Sequence, residues 1–384
     1  MQSAAIGSAA VKTAAATIAV TGGGTGGHIF PNLALIDELK KRGVRDIFWI
    51  GAKGGKEAEW AAKAGVGFYG VAAGKLRRYF SLRNATDLLR IGCGVFQSFL
   101  VLAKRKPDLL FSKGGFVSVP PVLAARLLRP LRVVGIRRIP IMTHESDIDP
   151  GLATRIIARF ADRVCVSFEK TKTLLPGPKT ACTGNPVRGV VTEGNRKRGR
   201  EYLAFEQRLP VVLVLGGSLG ASRLNGAVRE MLSIRRFRFN LVHQCGSGNF
   251  DPAFPSEGRY RQFEFIDERM GDVLAAADLV VSRSGAGALC ELGCMKKPSI
   301  LVPLPRSKSR GEQLGNAKYF ADNGAALVIE DGQLNGEELA AVLHALLGDR
   351  KKLVEMGERA HSLFVPDAEA KIADLIEETL RGKT

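Results

Sequence analysis

The chain has 384 residues, 45% hydrophobic, with 56 Lys and Arg against 38 Asp and Glu and a formal net charge of +18. That length accommodates two ordinary domains, and the composition excludes a fibrous or wholly disordered chain. The charge is uneven: residues 1–185 hold 28 Lys and Arg against 12 Asp and Glu, the rest 28 against 26. A field confined to one half points to a polyanion there, either nucleic acid or an anionic membrane.

Residues 1–16 are rich in alanine and carry one charge, Lys12. Without a basic segment or a long apolar core they read as a poorly ordered lead-in, not as a signal peptide. The chain shows no run of 18 apolar residues, so no membrane span is expected. The six cysteines share no metal-ligand spacing and read as free thiols in a reducing cytoplasm.

Ile18 to Val20 read as a buried strand that ends in five glycines within six positions, followed by His28. Leu33, Leu35, Ile36 and Leu39 then recur at helical spacing. A glycine turn before a helix exposes backbone N–H groups to an anion or a polyol. Gly22, Gly24 and Gly27 also fit a dinucleotide fingerprint. That reading wants an acid after the second strand, where this chain has Gly51, Ala52 and Lys53. No phosphate-loop G-x-x-x-x-G-K-[ST] motif is present.

Strands are expected near 47–50, 67–71, 108–112, 139–143 and 163–166, with helices near 56–64, 86–104, 119–128, 150–160 and 168–175. The alternation predicts a parallel sheet covered on both faces, with ligands at the carboxyl ends of its strands. Two more such ends carry ligand-type chemistry: Lys113 to Ser118, a second glycine turn, and His144-Glu145-Ser146-Asp147. His144-Glu145 is not a zinc-protease motif, because position 148 is Ile.

Between these lies a basic and apolar surface: residues 74–83, including Arg77 and Arg78, the helix 86–104, and Arg126 to Arg138 around Leu127 and Leu128. The helix suits core packing or, with its basic surroundings, a contact with anionic lipid. Strand 179–183 leads to Gly184-Asn185-Pro186, which marks a domain boundary. A second alternating unit follows. Pro210 to Leu215 ends in Gly216-Gly217-Ser218-Leu219-Gly220, and Phe263 to Asp267 reads as a strand end. Asp278 to Ser282 leads to Arg283-Ser284-Gly285-Ala286, where Ser284 suits an N-cap and the small residues leave a helix start open to a diphosphate. Glu291 suits either two ribose hydroxyls or a solvent-facing helix position. Gln313 and Asn316 can hydrogen-bond a sugar.

Taken together, residues 22–31, 113–118, 144–147, 184–188, 216–221, 265–267, 283–286 and 313–317 resemble the MurG family, which transfers N-acetylglucosamine to lipid I in peptidoglycan synthesis. The resemblance runs from about Thr17 to the C-terminus. It implies an α/β chain of the GT-B fold: two Rossmann-like, doubly wound parallel-sheet domains facing a cleft. The N-terminal domain, 17–185, would serve the acceptor and the membrane. The domain 186–365 would hold the donor UDP-N-acetylglucosamine, and 366–384 would be a helix packing back on the first domain. The resemblance further implies that Arg188 and Ser218 meet the donor diphosphate and that the Ile266 backbone reads uracil. Ala286, Gly287, Ala288, Leu289 and Cys290 form the phosphate-binding helix start, Glu291 takes the ribose, and Gln313 the sugar. Thr25, Gly26 and Gly27 approach that sugar, and Gly24, Gly114, Gly115 and Phe116 hold the acceptor, whose diphosphate is expected at these N-terminal glycine loops.

The reaction implied is inverting attack by the acceptor's C4 hydroxyl, giving lipid II. His28 is the candidate base, since a neutral imidazole is available near pH 7; the alternative is a structural donor that orients its loop. Many family members carry His-Glu-Gln-Asn where this chain has His-Glu-Ser-Asp, so Asp147 adds a second candidate base and donor contact. No cofactor and no obligatory metal is expected. Implied partners are UDP-N-acetylglucosamine, lipid I, an anionic membrane surface and other cell-wall enzymes, with no nucleic acid, at the cytoplasmic face of the plasma membrane. Transferases that add a hexose to diacylglycerol share the fold and the membrane surface. The His-Glu-Ser-Asp loop and the second glycine loop favour lipid I over that alternative.

Overall fold

The computed structural model describes residues 15–24, 26–74, 83–129, 138–205, 209–217, 219–234 and 237–382. The contacts divide the chain into two compact units, residues 1–186 with 367–384, and residues 187–366. The lead-in 1–14, the basic stretch 75–82 with Arg77 and Arg78, residues 130–137, Thr25 and Ser218 lie outside the described residues.

The first unit carries seven strands: β1 (Thr17–Thr21), β2 (Asp46–Ala52), β3 (Gly67–Val71), β4 (Leu109–Ser112), β5 (Ile141–Glu145), β6 (Arg163–Val166) and β7 (Thr180–Cys182). They lie in the order β3-β2-β1-β4-β5-β6-β7, every neighbouring pair parallel. The order reverses between β1 and β4, and a doubly wound sheet opens a crevice at such a point. The first glycine turn leaves β1 there and the second leaves β4. Ile18, Val20, Trp49 and Phe111 are fully or almost fully buried in the core beneath.

The helix Ala368–Arg381 belongs to this unit. Ile372, Ala373 and Ile376, at helical spacing, are buried in one cluster with Leu35, Ile36 and Leu39 of the helix Gly26–Lys41. Each isoleucine contributes about 1.5–3 kcal/mol by leaving water. Arg42 ties the two helices, donating to Asp374 at 2.6 Å, Glu377 at 3.0 Å and the carbonyl of Ala370 at 3.1 Å.

The helix Arg83–Arg105 packs on Val119–Leu128, with Asp87, Ile91, Ser98 and Leu102 buried. Its other face leaves Leu88, Leu89, Phe96 and Leu100 exposed. The stretch Thr86–Arg105 is long and apolar enough to cross a bilayer by length and composition, which the search for unbroken apolar runs misses. Its buried face and the seating of Gly94 against the Ala72 carbonyl place it in the domain's helical layer.

The second unit carries β8 (Val211–Leu215), β9 (Asn240–Gln244), β10 (Tyr260–Phe263), β11 (Leu279–Ser282), β12 (Ser299–Leu301) and β13 (Ala326–Val328), in the order β10-β9-β8-β11-β12-β13 and all parallel. Its reversal falls between β8 and β11, where the loops 216–221 and 283–285 emerge.

Four expectations need correction. His144 and Glu145 lie in β5, not in the loop after it, because all five residues of β5 are buried and Met142 to Glu145 pair with β6. The strand end read at 263–267 falls at Phe263, where the strand Tyr260–Phe263 stops, and Ile266 lies beyond it. The helix expected over 168–175 is the single turn Glu169–Lys172. Strands β9, β12 and β13 have no counterpart in the sequence reading.

Two buried histidines make stability depend on acid. His243 in β9 donates from Nε2 to Asn225 Oδ1 at 3.0 Å and accepts at Nδ1 from Tyr260 Oη at 2.9 Å, and burial pushes its pKa down to about 4. Burial, reinforced by Lys113, also holds His144 well below the usual histidine range. The unfolded chain binds protons below about pH 6.5 that the folded chain does not, so stability falls as pH drops through the window 6.5 to 4. The loss is about 1.4 kcal/mol per pH unit for each histidine. Both tryptophans, Trp49 and Trp60, lie in the first unit, so their fluorescence follows His144. The urea midpoint read that way should be lower at pH 5 than at pH 7. An unchanged midpoint contradicts a neutral buried His144.

Candidate functional site

In the first unit the site residues collect at the carboxyl edge of the sheet. His28 is the third residue of the helix Gly26–Lys41, half-buried, just after the first glycine turn. Its Nδ1 lies 3.2 Å from the main-chain carbonyl oxygen of Lys113. A carbonyl only accepts, so Nδ1 carries the proton and the lone pair sits on Nε2. That is the tautomer a general base needs. Gly115 has φ +80°, and a Cβ there would come within 3.2 Å of His28 Nε2. The second glycine turn therefore shapes the floor under the imidazole. Gly114 and Gly115 are themselves buried, and only Phe116 of that turn is half-buried.

The first turn departs from the anion-loop expectation at one atom. The N–H of Gly24 donates to Oε1 of Glu57 at 2.5 Å. Gly24, Gly26 and Gly27 are exposed. The turn is held from below by Trp49 Nε1, which donates to the carbonyl of Gly22 at 3.0 Å, and by the Lys113 N–H on the carbonyl of Thr21 at 2.8 Å.

In the sequence Lys113 is legible only as part of a glycine loop, yet its side chain is buried and organises the neighbouring strand end. Its Nζ donates to Nδ1 of His144 at 2.9 Å and to Ser146 Oγ. His144 Nε2 donates to the carbonyl of Gly184 at 2.7 Å, and Ser146 Oγ to Asn185 Oδ1 at 3.1 Å. His144 is thus a neutral structural link from β5 to the chain segment leaving β7. Glu145 accepts from the N–H groups of Asp147 and Gly151, each at 3.1 Å, which fixes the turn carrying Asp147. Asp147 is half-buried two residues past the end of β5.

In the second unit Arg188 Nε donates to Glu291 Oε1 at 2.8 Å, both side chains about one-fifth exposed. Two residues assigned to different parts of one nucleotide are thus partners of each other. Glu291 sits in the second turn of the helix Ala286–Cys294. That helix is capped by Gly285, which has no side chain, and not by Ser284, whose Oγ donates to the carbonyl of Gln313 at 2.8 Å. The result is a helix start whose first N–H groups meet no side-chain cap, a ready seat for an anion. Ala286, Leu289 and Cys290 are buried behind it, while Gly287 and Ala288 are half-buried.

Arg283, beside this turn, donates to Asp331 Oδ1 at 2.7 Å and to the carbonyl of Val302 at 2.9 Å. Gln313 Oε1 accepts the N–H of Leu304 at 3.1 Å, so its amide nitrogen is the group with hydrogens to donate to a ligand. The N–H of Ile266 is already held by Gln244 Oε1 at 2.9 Å, so its carbonyl is the backbone group left to read a base. Across the sheet reversal, Gly220 has φ +79° and a Cβ there would meet the Cys245 carbonyl at 2.3 Å, so only glycine fits that turn.

Among the described residues no group of three or more His, Cys, Asp or Glu could hold a metal ion. The sequence reading missed Glu57, the Lys113 side chain and Gln244. Each acts on a residue far away in sequence, so no local motif announces it.

The glycosyltransferase family 28 N-terminal domain profile matches residues 18–166, and the family 28 C-terminal domain profile matches residues 211–376. The chain is similar to a protein of Lachnospira eligens named UDP-N-acetylglucosamine--N-acetylmuramyl-(pentapeptide) pyrophosphoryl-undecaprenol N-acetylglucosamine transferase, 41% identical over 361 residues, 94% of this chain and 98% of the relative. A Treponema pallidum protein of the same name is 42% identical over 378 residues, 95% of this chain and 96% of its own. The crystal structure of Acinetobacter baumannii MurG superposes with a TM-score of 0.73 at 26% identity, covering 94% of this chain and 99% of that one. The fold is therefore GT-B, with two parallel-sheet α/β domains.

Proposed function

The chain belongs to glycosyltransferase family 28, among its MurG-type transferases, and from that membership we propose that it moves N-acetylglucosamine from UDP-N-acetylglucosamine to the C4 hydroxyl of the muramyl sugar of lipid I. The observation that carries the reading is near-full-length identity of 41–42% to relatives named for this transfer. The site chemistry agrees with it. The open helix start at Ala286–Ala288 and Arg188 suit a leaving diphosphate, whose developing charge they stabilise without reorganising. Glu291 suits the ribose hydroxyls and the Gln313 amide nitrogen a sugar hydroxyl. His28 Nε2 takes the proton of the attacking hydroxyl. Attack opposite the leaving UDP inverts the anomeric carbon and gives a β-linkage.

The donor half is tested by calorimetry with UDP, UDP-N-acetylglucosamine, UDP-glucose, ADP and NADH. UDP and UDP-N-acetylglucosamine should bind, and ADP and NADH should not. Preference for UDP-glucose moves the reading to a diacylglycerol hexosyltransferase, and NADH binding overturns it.

The acceptor carries a polyprenyl chain, so this reading places the first unit on a membrane surface at the cytoplasmic face. The exposed Leu88, Leu89, Phe96 and Leu100, with the exposed Leu127 on the adjoining helix and Lys104 at the helix end, are its contact. Arg138, half-exposed on the same unit, is ion-paired with Asp162. Replacing Leu89 and Phe96 by Asp should weaken binding to vesicles containing anionic lipid by at least ~10-fold and spare turnover of a short-chain acceptor. Undiminished vesicle binding contradicts this face.

A further inference from the structure

Asp331 follows β13 at the carboxyl edge of the second sheet, and it is buried, 6% exposed. Two guanidinium groups converge on its turn from the two sides of the sheet reversal. Arg283, the residue after β11, donates from Nη1 to Asp331 Oδ1 at 2.7 Å and to the carbonyl of Val302, the residue after β12, at 2.9 Å. Its side chain thus links the carboxyl ends of β11, β12 and β13, which are neighbours in the sheet. Arg223 stands in the first turn of the helix Ser222–Ile234, which follows β8. It donates from Nη1 to the carbonyl of Gly332 at 2.8 Å, and its Nε lies 3.8 Å from Asp331 Oδ2. β8 and β11 flank the reversal, so one buried carboxylate receives an arm from each side. The Arg283 pair is the stronger of the two, because its hydrogen bond is short and both side chains are largely out of water.

The helix start at Ala286–Ala288 follows directly. Its N-cap, Gly285, offers no side chain, and a Cβ built on Gly285 or Gly287 would meet no described atom within 4 Å. Packing does not hold the outer side of this turn; the residues just before it do. Ser284 and Asn316 tie it to the helix Glu312–Asp322, where Asn316 Nδ2 donates to the Ser284 carbonyl at 3.0 Å. Arg283 ties it to Asp331 on the other side of the chain. An anion seat made of backbone N–H groups cannot adapt by turning a side chain, so its strength depends on where the backbone is fixed, to about 0.5 Å.

We propose that Asp331 is a positioning residue for the transfer: through Arg283, with Arg223 as a second arm, it fixes the open helix start that receives the leaving diphosphate. The proposal rests on the donor reading given above and deepens it. Asp331 acts on the phosphate end of the nucleotide and not on the uridine end. Its effect has a sign that charge alone would not give. Removing a carboxylate near a diphosphate site would by Coulomb's law tighten an anion, whereas loosening the seat weakens it.

The test measures the equilibrium affinities of UDP and of uridine on the full chain, for the wild type, Asp331→Ala and Asp331→Asn. Asp331→Ala should weaken UDP by ~10-fold and leave uridine within about twofold. Asp331→Asn keeps the shape and an acceptor oxygen for Arg283 but not the charge, so it should lie between, with UDP weakened ~3-fold. The asparagine variant carries the test alone if the alanine variant does not fold. UDP binding that is unchanged or tighter in either folded variant overturns the proposal, and so does uridine binding weakened as much as that of UDP, which is the mark of a merely structural role. Wild-type protein that binds UDP no better than uridine, or binds neither, overturns the donor reading itself and the proposal with it, which separates the two failures.

Discussion

Replacing His28 by alanine lowers kcat by ~10² to 10⁴-fold and leaves the affinity for UDP-N-acetylglucosamine within about twofold. The magnitude follows from removing a positioned base from a step in which the hydroxyl must lose its proton as it attacks. The selectivity follows from geometry. The ring is held on the first unit by the Lys113 carbonyl, whereas the Arg188, Glu291 and helix-start groups for the nucleotide belong to the second. Asparagine at position 28 is the informative companion. It can still donate to Lys113 O but has no basic nitrogen, so it should be as slow as alanine. If asparagine restores most of the rate, His28 orients its loop and the base is elsewhere, with Asp147 the next candidate.

Replacing Glu291 by alanine weakens UDP and UDP-N-acetylglucosamine binding by ~10 to 100-fold, since hydrogen bonds to a charged group contribute about 1.5–3 kcal/mol. Two effects add. The ribose hydroxyls lose their acceptor, and Arg188 loses the carboxylate that lies 2.8 Å from its Nε. Glu291→Gln separates them, because the amide still accepts from a hydroxyl but no longer neutralises Arg188. Its loss should be intermediate. Calorimetry on the three proteins decides the matter: equal affinities in all of them would mean that Glu291 neither touches the nucleotide nor serves it through Arg188.

Much of this site was legible because glycine turns at strand ends are written locally. Gly22 to Gly27, Lys113 to Ser118 and Gly216 to Gly220 each follow a short apolar run, and each does leave a strand beside a sheet reversal. The helix at Ala286 was legible for the same reason, but its cap was not. Ser284 has the right chemistry for an N-cap, and the carbonyl of Gln313, brought in from another helix, takes its hydroxyl instead. Strands β12 and β13 escaped because they are three residues long, and β9 because His243 and Gln244 interrupt its apolar run. Both polar residues are buried there, since Tyr260, Asn225 and the Ile266 N–H satisfy them. His144 and Glu145 were assigned to a loop on the same ground, polarity, and are strand residues because Lys113, Gly184 and two N–H groups take up their polar atoms. In each case the missing information was a partner distant in sequence, which periodicity cannot supply.

The most direct test of the account is transfer of labelled N-acetylglucosamine from UDP-N-acetylglucosamine, offered a short-chain lipid I analogue and diacylglycerol in parallel, with the anomeric configuration of the product read by NMR. The account predicts a β-linked disaccharide on the lipid I analogue and no product on diacylglycerol. Transfer to diacylglycerol, or an α-linked product on lipid I, would contradict it.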